Sequence, residues 1–472
     1  MAINSNSDNL KHKFNVKYIL GISLASALGG FLFGYDLLVI SGAKEFYQLV
    51  YNLNTAALQG WAVSSCIVGC IIGALFVGKP SDSWGRTKLL SLSGLFFLIS
   101  AFGSGYAPTF TQFVLYRLLG GIGMGMASTL APMYIAEVSP ASMRGRMVSL
   151  NQLTIVLGIL FAQLINYLIL NSHPIPEGIM GDALLNTWNG QTGWRLMFAA
   201  EGVPAFIFMV WMLFVPPSPR WLVKKSRDQK AHKVLSKIGG KEYADEALKH
   251  IEDTLGTDQK SAGFGELLAP QMRKILLIGL VIAVYQQWCG INVIFNYASD
   301  IFKAAGYEME GILFNLIVIG ITNLIFTFVG MKLIDSLGRK PLMLAGSIGL
   351  GIAHILIGWC YYADVSGLYV FAFALAAVAC FAATLGPVAW VLISEIFPNR
   401  IRGVAMSLAV LSLWIANFVL SFTFPILKET LGPAYTFWIY AAICAMGAVF
   451  VNKYIPETKG KTLEEIEQTL GE

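Results

Sequence analysis

The sequence predicts an all-α membrane protein: twelve transmembrane helices in two six-helix pseudo-repeat bundles, with short helices on the cytoplasmic side. Three observations predict it. Hydrophobic residues make up 56% of the 472 residues and charged residues only 13%, more apolar surface than a soluble core needs. Stretches almost free of charge, of about 20 residues and so long enough to cross a bilayer's hydrocarbon, recur twelve times. The polar connections between them repeat at about half the chain's length.

The spans fall at 17–41, 59–79, 89–106, 110–136, 147–170, 194–214, 274–298, 310–333, 341–361, 367–393, 404–426 and 435–453. The first follows a polar tail and has no small-residue cleavage site, so it reads as a retained helix rather than a signal peptide. Lys and Arg gather in alternate connections: Lys11, Lys13 and Lys17; Lys79, Arg86 and Lys88; Arg144 and Arg146; Lys332, Arg339 and Lys340; Arg400 and Arg402; Lys453, Lys459 and Lys461. The opposite set holds only Lys44, Lys303 and Lys428. By the positive-inside rule both termini are cytoplasmic, with the lipid bilayer as the surroundings of the spans.

That asymmetry accounts for the net charge of +5, which therefore gives no reason to expect nucleic acid as a partner. The six cysteines all lie inside spans, where a thiol behaves as a small hydrophobe. Cys66 and Cys70 are one helical turn apart but lack further ligands. No metal or cofactor is expected.

The halves announce themselves in their loops. "DSWGR" at 82–86 returns as "DSLGR" at 335–339, and "EVSPASMRG" at 137–145 returns as "EIFPNRIRG" at 395–403. These pairs follow spans two and eight, then four and ten, the pattern of a transporter built from related bundles. The expected domains are an N-terminal tail (1–16), a first bundle (17–214), a cytoplasmic linker (215–273), a second bundle (274–453) and a C-terminal tail (454–472). Within the linker, 227–239 and 241–255 suit short amphipathic helices. Another is expected at "KTLEEIEQTL" in the tail. The duplicated charges Arg86, Glu137, Arg144, Arg339, Glu395 and Arg402 are candidates for a cytoplasmic latch, pairing across the seam between halves. Alternatively they serve only as membrane anchors and helix caps.

The two D-x-x-G-R copies, together with "PMYIAEVSPASMRG", "PPSPRWL", "QQWCGIN", "GPVAWVLISEIFPNRIRG" and "PETKGKTLEEIE", resemble the sugar porter family of the major facilitator superfamily. The likeness runs from about residue 17 to 468 and is nearest to bacterial D-xylose-type sugar/proton symporters. It implies the major facilitator fold and a small neutral sugar as substrate, carried with a proton by a protein that works as a monomer.

Ionisable groups inside spans are costly and are functional hypotheses by default. Asp36, Arg117 and Glu201 sit at similar depths in spans one, four and six. Arg117 would stabilise an ionised Asp36, and a proton on Asp36 would release the arginine, which makes the three a proton-coupling network. A permanent ion pair that only ties helices together is the alternative. The resemblance favours coupling, because an aspartate at this place accompanies it in the family and related facilitators have an uncharged residue.

A sugar is a ring of hydroxyls with an apolar face. Amides supply donors and acceptors, and indoles supply a flat surface with one N–H. The candidates near mid-membrane are Gln152, Gln163, Gln286, Gln287, Asn292, Asn323, Trp390, Trp414 and Asn417, with Phe33 as a lining residue. "QQWCGIN" resembles the family's sugar motif, and Gly290, like Gly386–Pro387 in span ten, could let its helix unwind. Three positions depart from the family pattern: Asn296 where a gating tyrosine is usual, Leu413 where an amide is usual, and Pro217 where a glutamate is usual.

Other classes fit less well. A facilitative uniporter would keep Asp36 as a structural group. A sugar sensor would call for longer cytoplasmic tails. An enzyme would need a nucleophile and base, yet the chain has five histidines, with only His354 inside a span, where packing or hydrogen bonding suits it better than catalysis.

Overall fold

The computed structural model describes residues 13–176, 178–179, 181–257, 270–307, 309–365, 367–397 and 402–459. The expected tail helix at 461–470 lies outside them. No strand occurs among the described residues. Among the described residues, twelve helices are long and apolar enough to cross a membrane: Val16–Val50, Ala56–Phe76, Arg86–Tyr106, Phe110–Val138, Arg144–Ser172, Asn189–Phe214, Met272–Asn296, Gly311–Ile334, Arg339–Tyr362, Gly367–Ile393, Val404–Leu431 and Pro433–Tyr454. They are numbered below as spans one to twelve.

Span one differs most from its sequence prediction. It continues as helix to Val50, so Lys44 belongs to a helix and not to a loop. The linker follows its pattern closely. Ser218 caps the short helix Pro219–Lys224, with Pro219 at a first-turn position where its missing N–H costs nothing. A longer helix, Asp228–Thr257, is interrupted at Gly240, whose φ of 86° suits glycine, so the two expected amphipathic segments meet there.

Three spans are broken where their sequence demands it. Span six passes through a π-turn at Asn189–Gly193 and resumes as Gly202–Phe214, with Pro204 in the first turn of the new helix. Span seven stops at Trp288, turns through Gly290 (φ 87°) and restarts at Ile291. Span ten breaks at Thr384, just before Gly386–Pro387.

The chain forms two compact units that cut across the sequence repeat: Met1–Asp36, Gly69–Ile159 and Phe198–Ser261 form one, and Leu37–Val68, Leu160–Met197 and Ala262–Glu472 the other. In the first unit, glycines let helices touch backbone to backbone. A Cβ on Gly34 would sit 2.0 Å from the Ile155 carbonyl oxygen, and one on Gly158 would sit 2.0 Å from that of Phe31. In lipid such small-residue contacts replace the hydrophobic drive between helices.

The second unit contains the far end of span one as well as spans seven to twelve. Ser299 donates to the Ser41 carbonyl at 2.7 Å, and Gly60 of span two lies against the Phe422 backbone of span eleven, where a Cβ would come within 2.5 Å of its carbonyl oxygen.

Candidate functional site

Asp36 and Arg117 form a buried ion pair. The Arg117 guanidinium donates to the Asp36 carboxylate through one nitrogen and to the Asp36 backbone carbonyl through the other at 3.3 Å. The side chains are 1% and 2% exposed. Gly120, one turn beyond Arg117, lies against Ser100, whose hydroxyl and Cβ a side chain at 120 would strike, while the second Asp36 carboxylate oxygen stands at ordinary contact distance, 3.4 Å from where a Cβ would be. The guanidinium carbon also stands 5.7 Å from the centre of the Phe198 ring. Glu201, three residues after that ring, is buried at the break of span six. A proton arriving on Asp36 removes the charge that holds Arg117, so this pair can be made and broken by one proton.

A chain of amides occupies the second unit. Gln287 donates to the Gln286 side-chain oxygen, and Asn292 donates to Gln287. Asn292 also approaches the Asn417 side-chain oxygen at 3.5 Å, and Ser421 donates to that same oxygen at 3.3 Å. Asn296 continues the series by donating to the Ser421 hydroxyl at 3.4 Å. The Gly290 turn makes this possible, since it brings amides from both segments of span seven to one line. Trp288 is pinned beside them by its indole N–H on the Ala416 carbonyl at 3.0 Å.

The remaining candidates are placed more loosely. Gln163 is 1% exposed, and neither its amide oxygen nor its nitrogen has a hydrogen-bonding partner among the described residues; Gly320 packs against it. Asn323 and Trp414 are buried, Phe33 and Gln152 half-buried, and Trp390 is 38% exposed. Sequence reasoning passed over Asn315, two helical turns before Asn323, which is buried with its amide nitrogen unpartnered among the described residues. Its apolar setting was visible in the sequence, but its orientation was not. At the Leu413 departure the side chain is buried and apolar.

Among the described residues, the duplicated charges Arg86, Glu137, Arg339 and Glu395 pair within each repeat. Arg86 reaches Glu137 at 3.1 Å and Asp82 at 3.3 Å, and Arg339 reaches Glu395 at 2.8 Å. The reason is local: each arginine opens one span, each glutamate ends the antiparallel neighbour, and the same carbonyl five residues back accepts from each guanidinium, Ser81 at 3.1 Å and Ile334 at 3.0 Å. Arg144 is exposed. Arg402 opens the helix Arg402–Leu431, and its side chain lies outside the described residues.

The repeats differ in one cap. The Glu457 carboxylate accepts from the backbone N–H of Arg339 at 3.0 Å and of Lys340 at 3.1 Å, capping the start of span nine. Burial would raise this carboxyl, and those backbone donors outweigh it, leaving it below its usual value. The first repeat has Pro217 at the corresponding place and instead lays Trp221 on Gly85.

One charged cluster was missed altogether. Lys44 donates to Asp300, Lys428 reaches the other oxygen of the same carboxylate at 3.3 Å, and Lys303 pairs with Glu45 at 2.5 Å. The Lys44 ammonium also lies 3.9 Å from the centre of the Tyr297 ring, and the Tyr297 hydroxyl donates to the Ser421 carbonyl at 2.5 Å. At the Asn296 departure, then, the neighbouring tyrosine carries the aromatic contact.

The chain as a whole is similar to known proteins. The family model described as "Sugar (and other) transporter" matches residues 22–470. The D-xylose-proton symporter of Escherichia coli K12 is 39% identical over 489 residues, covering 96% of each protein. The arabinose-proton symporter of Bacillus subtilis is 39% identical over 452 residues, covering 96% of this chain and 95% of that one. The partially occluded, inward-open structure of the E. coli xylose transporter XylE superposes with a TM-score of 0.83 at 37% identity, covering 94% of this chain and all of that one. Similarity of that extent, in sequence and in fold, leaves one conclusion: the chain belongs to the sugar transporter family and has the major facilitator fold.

Proposed function

We propose that the protein imports a neutral monosaccharide, a pentose or hexose, together with a proton by alternating access. The observation that carries this reading is the Asp36–Arg117 pair, nearly unexposed inside a helix bundle. An ion pair in that setting is expensive to maintain, and one whose acid can be neutralised by a single proton suits a carrier that changes state with each proton. Asp36 takes the proton, Arg117 responds to its charge, and Glu201 completes the buried set.

The amides Gln163, Gln286, Gln287, Asn292, Asn323 and Asn417 receive the sugar hydroxyls. Trp390 and Trp414, with Phe33 and Gln152, offer apolar surface and a further amide. The hydrogen-bonded series from Gln286 to Ser421 can exchange its internal partners for sugar hydroxyls without leaving a buried polar group unpaired. The relatives' names, a D-xylose and an arabinose symporter with protons, agree with this chemistry.

The protein works as a monomer in the cell membrane with both termini in the cytoplasm. On this reading Arg86, Glu137, Arg144, Arg339, Glu395 and Arg402 form a cytoplasmic latch between the halves, with Arg86–Glu137 and Arg339–Glu395 paired inside their own repeats in the present state.

The test is external pH in a weakly buffered suspension of energy-depleted cells expressing the protein, as D-xylose, L-arabinose, D-glucose and D-galactose are added in turn. Alkalinisation with one sugar, abolished by a protonophore, is the expected result. Protonophore-insensitive uptake without any pH change would replace symport by facilitated uniport.

A further inference from the structure

The break in span seven frees a carbonyl, and one side chain from span nine meets it. In an uninterrupted helix the Val293 N–H would bond the Cys289 carbonyl. Here it bonds Gly290 instead, at 3.2 Å. The Cys289 carbonyl is left inside a helix bundle, where no water competes for it and an unpaired polar group is costly. His354 occupies that place: its Nε2 lies 2.8 Å from the Cys289 oxygen. A weaker donor, the Cys444 thiol, lies 3.5 Å from the same atom.

The partner fixes the imidazole's state. A carbonyl only accepts, so Nε2 carries the hydrogen. Nδ1 has no partner among the described residues, and the ring packs against Phe437 and Tyr440 at 5.8 and 6.0 Å between centres. The side chain is fully buried. Such surroundings suit a neutral ring with a single donor. The fit also leaves no space at the turn, since a Cβ on Gly290 would stand 2.8 Å from Nε2.

We infer that His354 is a positioning residue for sugar binding: it fixes the Gly290 turn and thereby aligns Gln286 and Gln287 with Asn292. The inference rests on the reading that these amides receive the sugar. His354 itself bonds only the backbone behind them. Losing its N–H would let the turn shift toward continuous helix, which would rotate Asn292 relative to Gln287 and break the series.

The test is equilibrium binding of D-xylose to the purified full-length protein, followed by tryptophan fluorescence, for wild type, His354→Leu, His354→Gln and Gln287→Ala. Glutamine places an N–H near the position of Nε2, whereas leucine supplies none. The inference expects His354→Leu to weaken binding about five- to tenfold, the equivalent of one lost hydrogen bond, and His354→Gln to restore most of it. KM should rise in parallel while the maximal rate of sugar exchange changes less. Wild-type affinity in His354→Leu would overturn the inference, as would a His354→Gln protein that binds no better than the leucine variant. Should His354→Leu fail to fold, the glutamine variant decides alone: near-wild-type affinity upholds the inference, and a tenfold loss overturns it. Gln287→Ala separates the two readings. If it binds D-xylose normally, the amide site itself is misassigned; if it binds weakly while His354→Leu does not, only the role of His354 falls.

Discussion

Lys44 donates a hydrogen bond to the Asp300 carboxylate 256 residues further along the chain, from a position inside the first membrane helix. The two residues come from different halves of the sequence repeat, and Lys428 holds the same carboxylate from its other side. Around them lie Tyr297, Glu429 and the Lys303–Glu45 pair, so three lysines share the two carboxylates Asp300 and Glu45. Any state in which the far end of span one leaves spans seven and eleven must break these bonds.

A pH dependence follows. Burial would raise the Asp300 carboxyl, but Lys44 and Lys428 outweigh it and leave it below its usual value. A depressed carboxylate contributes stability above its unfolded value of about 3.9 and loses it as pH falls through the folded value. Thermal unfolding in detergent should therefore show no contribution from Asp300 to the pH dependence between about pH 5 and 8. Below about pH 4 the wild type should lose stability more steeply than Asp300→Asn. Parallel curves for the two proteins down to about pH 3 would mean that the cluster contributes nothing.

Removing Lys44 tests the same cluster at neutral pH. Orphaning one member of a buried ion pair costs about 3–5 kcal/mol, and the remaining Lys428 should reduce that to about 2 kcal/mol for Lys44→Met. The freed end of span one should also become more accessible from outside. Labelling of a cysteine placed at Ser41 by an impermeant maleimide, in a background free of native cysteines, should be faster with Lys44→Met than without it. Equal labelling rates would remove the cluster from gating.

Glu457 predicts a difference between the two repeats. Its carboxylate caps span nine through Arg339 and Lys340, so Glu457→Ala should cost about 1 kcal/mol, as cap removals do. Pro217→Ala, at the corresponding position of the first repeat, should cost less, because no carboxylate is lost there. Apparent melting temperatures of the two variants in one detergent would compare them directly, and equal losses would contradict the assignment.

Much of the fold was legible because its causes are local or periodic. Apolar runs gave the twelve spans, Gly290 and Gly386–Pro387 marked breaks that appear at those places, and Gly240 divided the linker helix where the amphipathic pattern did. The Asp36–Arg117 contact was also readable, since two charges at equal depth in one bundle have few other partners. What escaped depends on tertiary direction. Lys44 looked like a loop residue because the apolar run ends near 41, although the helix does not. Glu137 and Glu395 carry no sign of which helix they will face, and they turned to their own repeat. His354 could be recognised as packed or hydrogen-bonded, but the carbonyl it serves exists only because span seven breaks 64 residues earlier.

The central claim is that Asp36 carries the proton. It is tested most directly by Asp36→Asn, measured both for uptake of sugar against its gradient in energised cells and for exchange of labelled for unlabelled sugar across equilibrated vesicles. The account predicts that accumulation is lost while exchange persists, because asparagine removes the titrating group and leaves the amides of the second unit in place. Accumulation at the wild-type level in Asp36→Asn would contradict it and reduce the Asp36–Arg117 pair to a tie between helices.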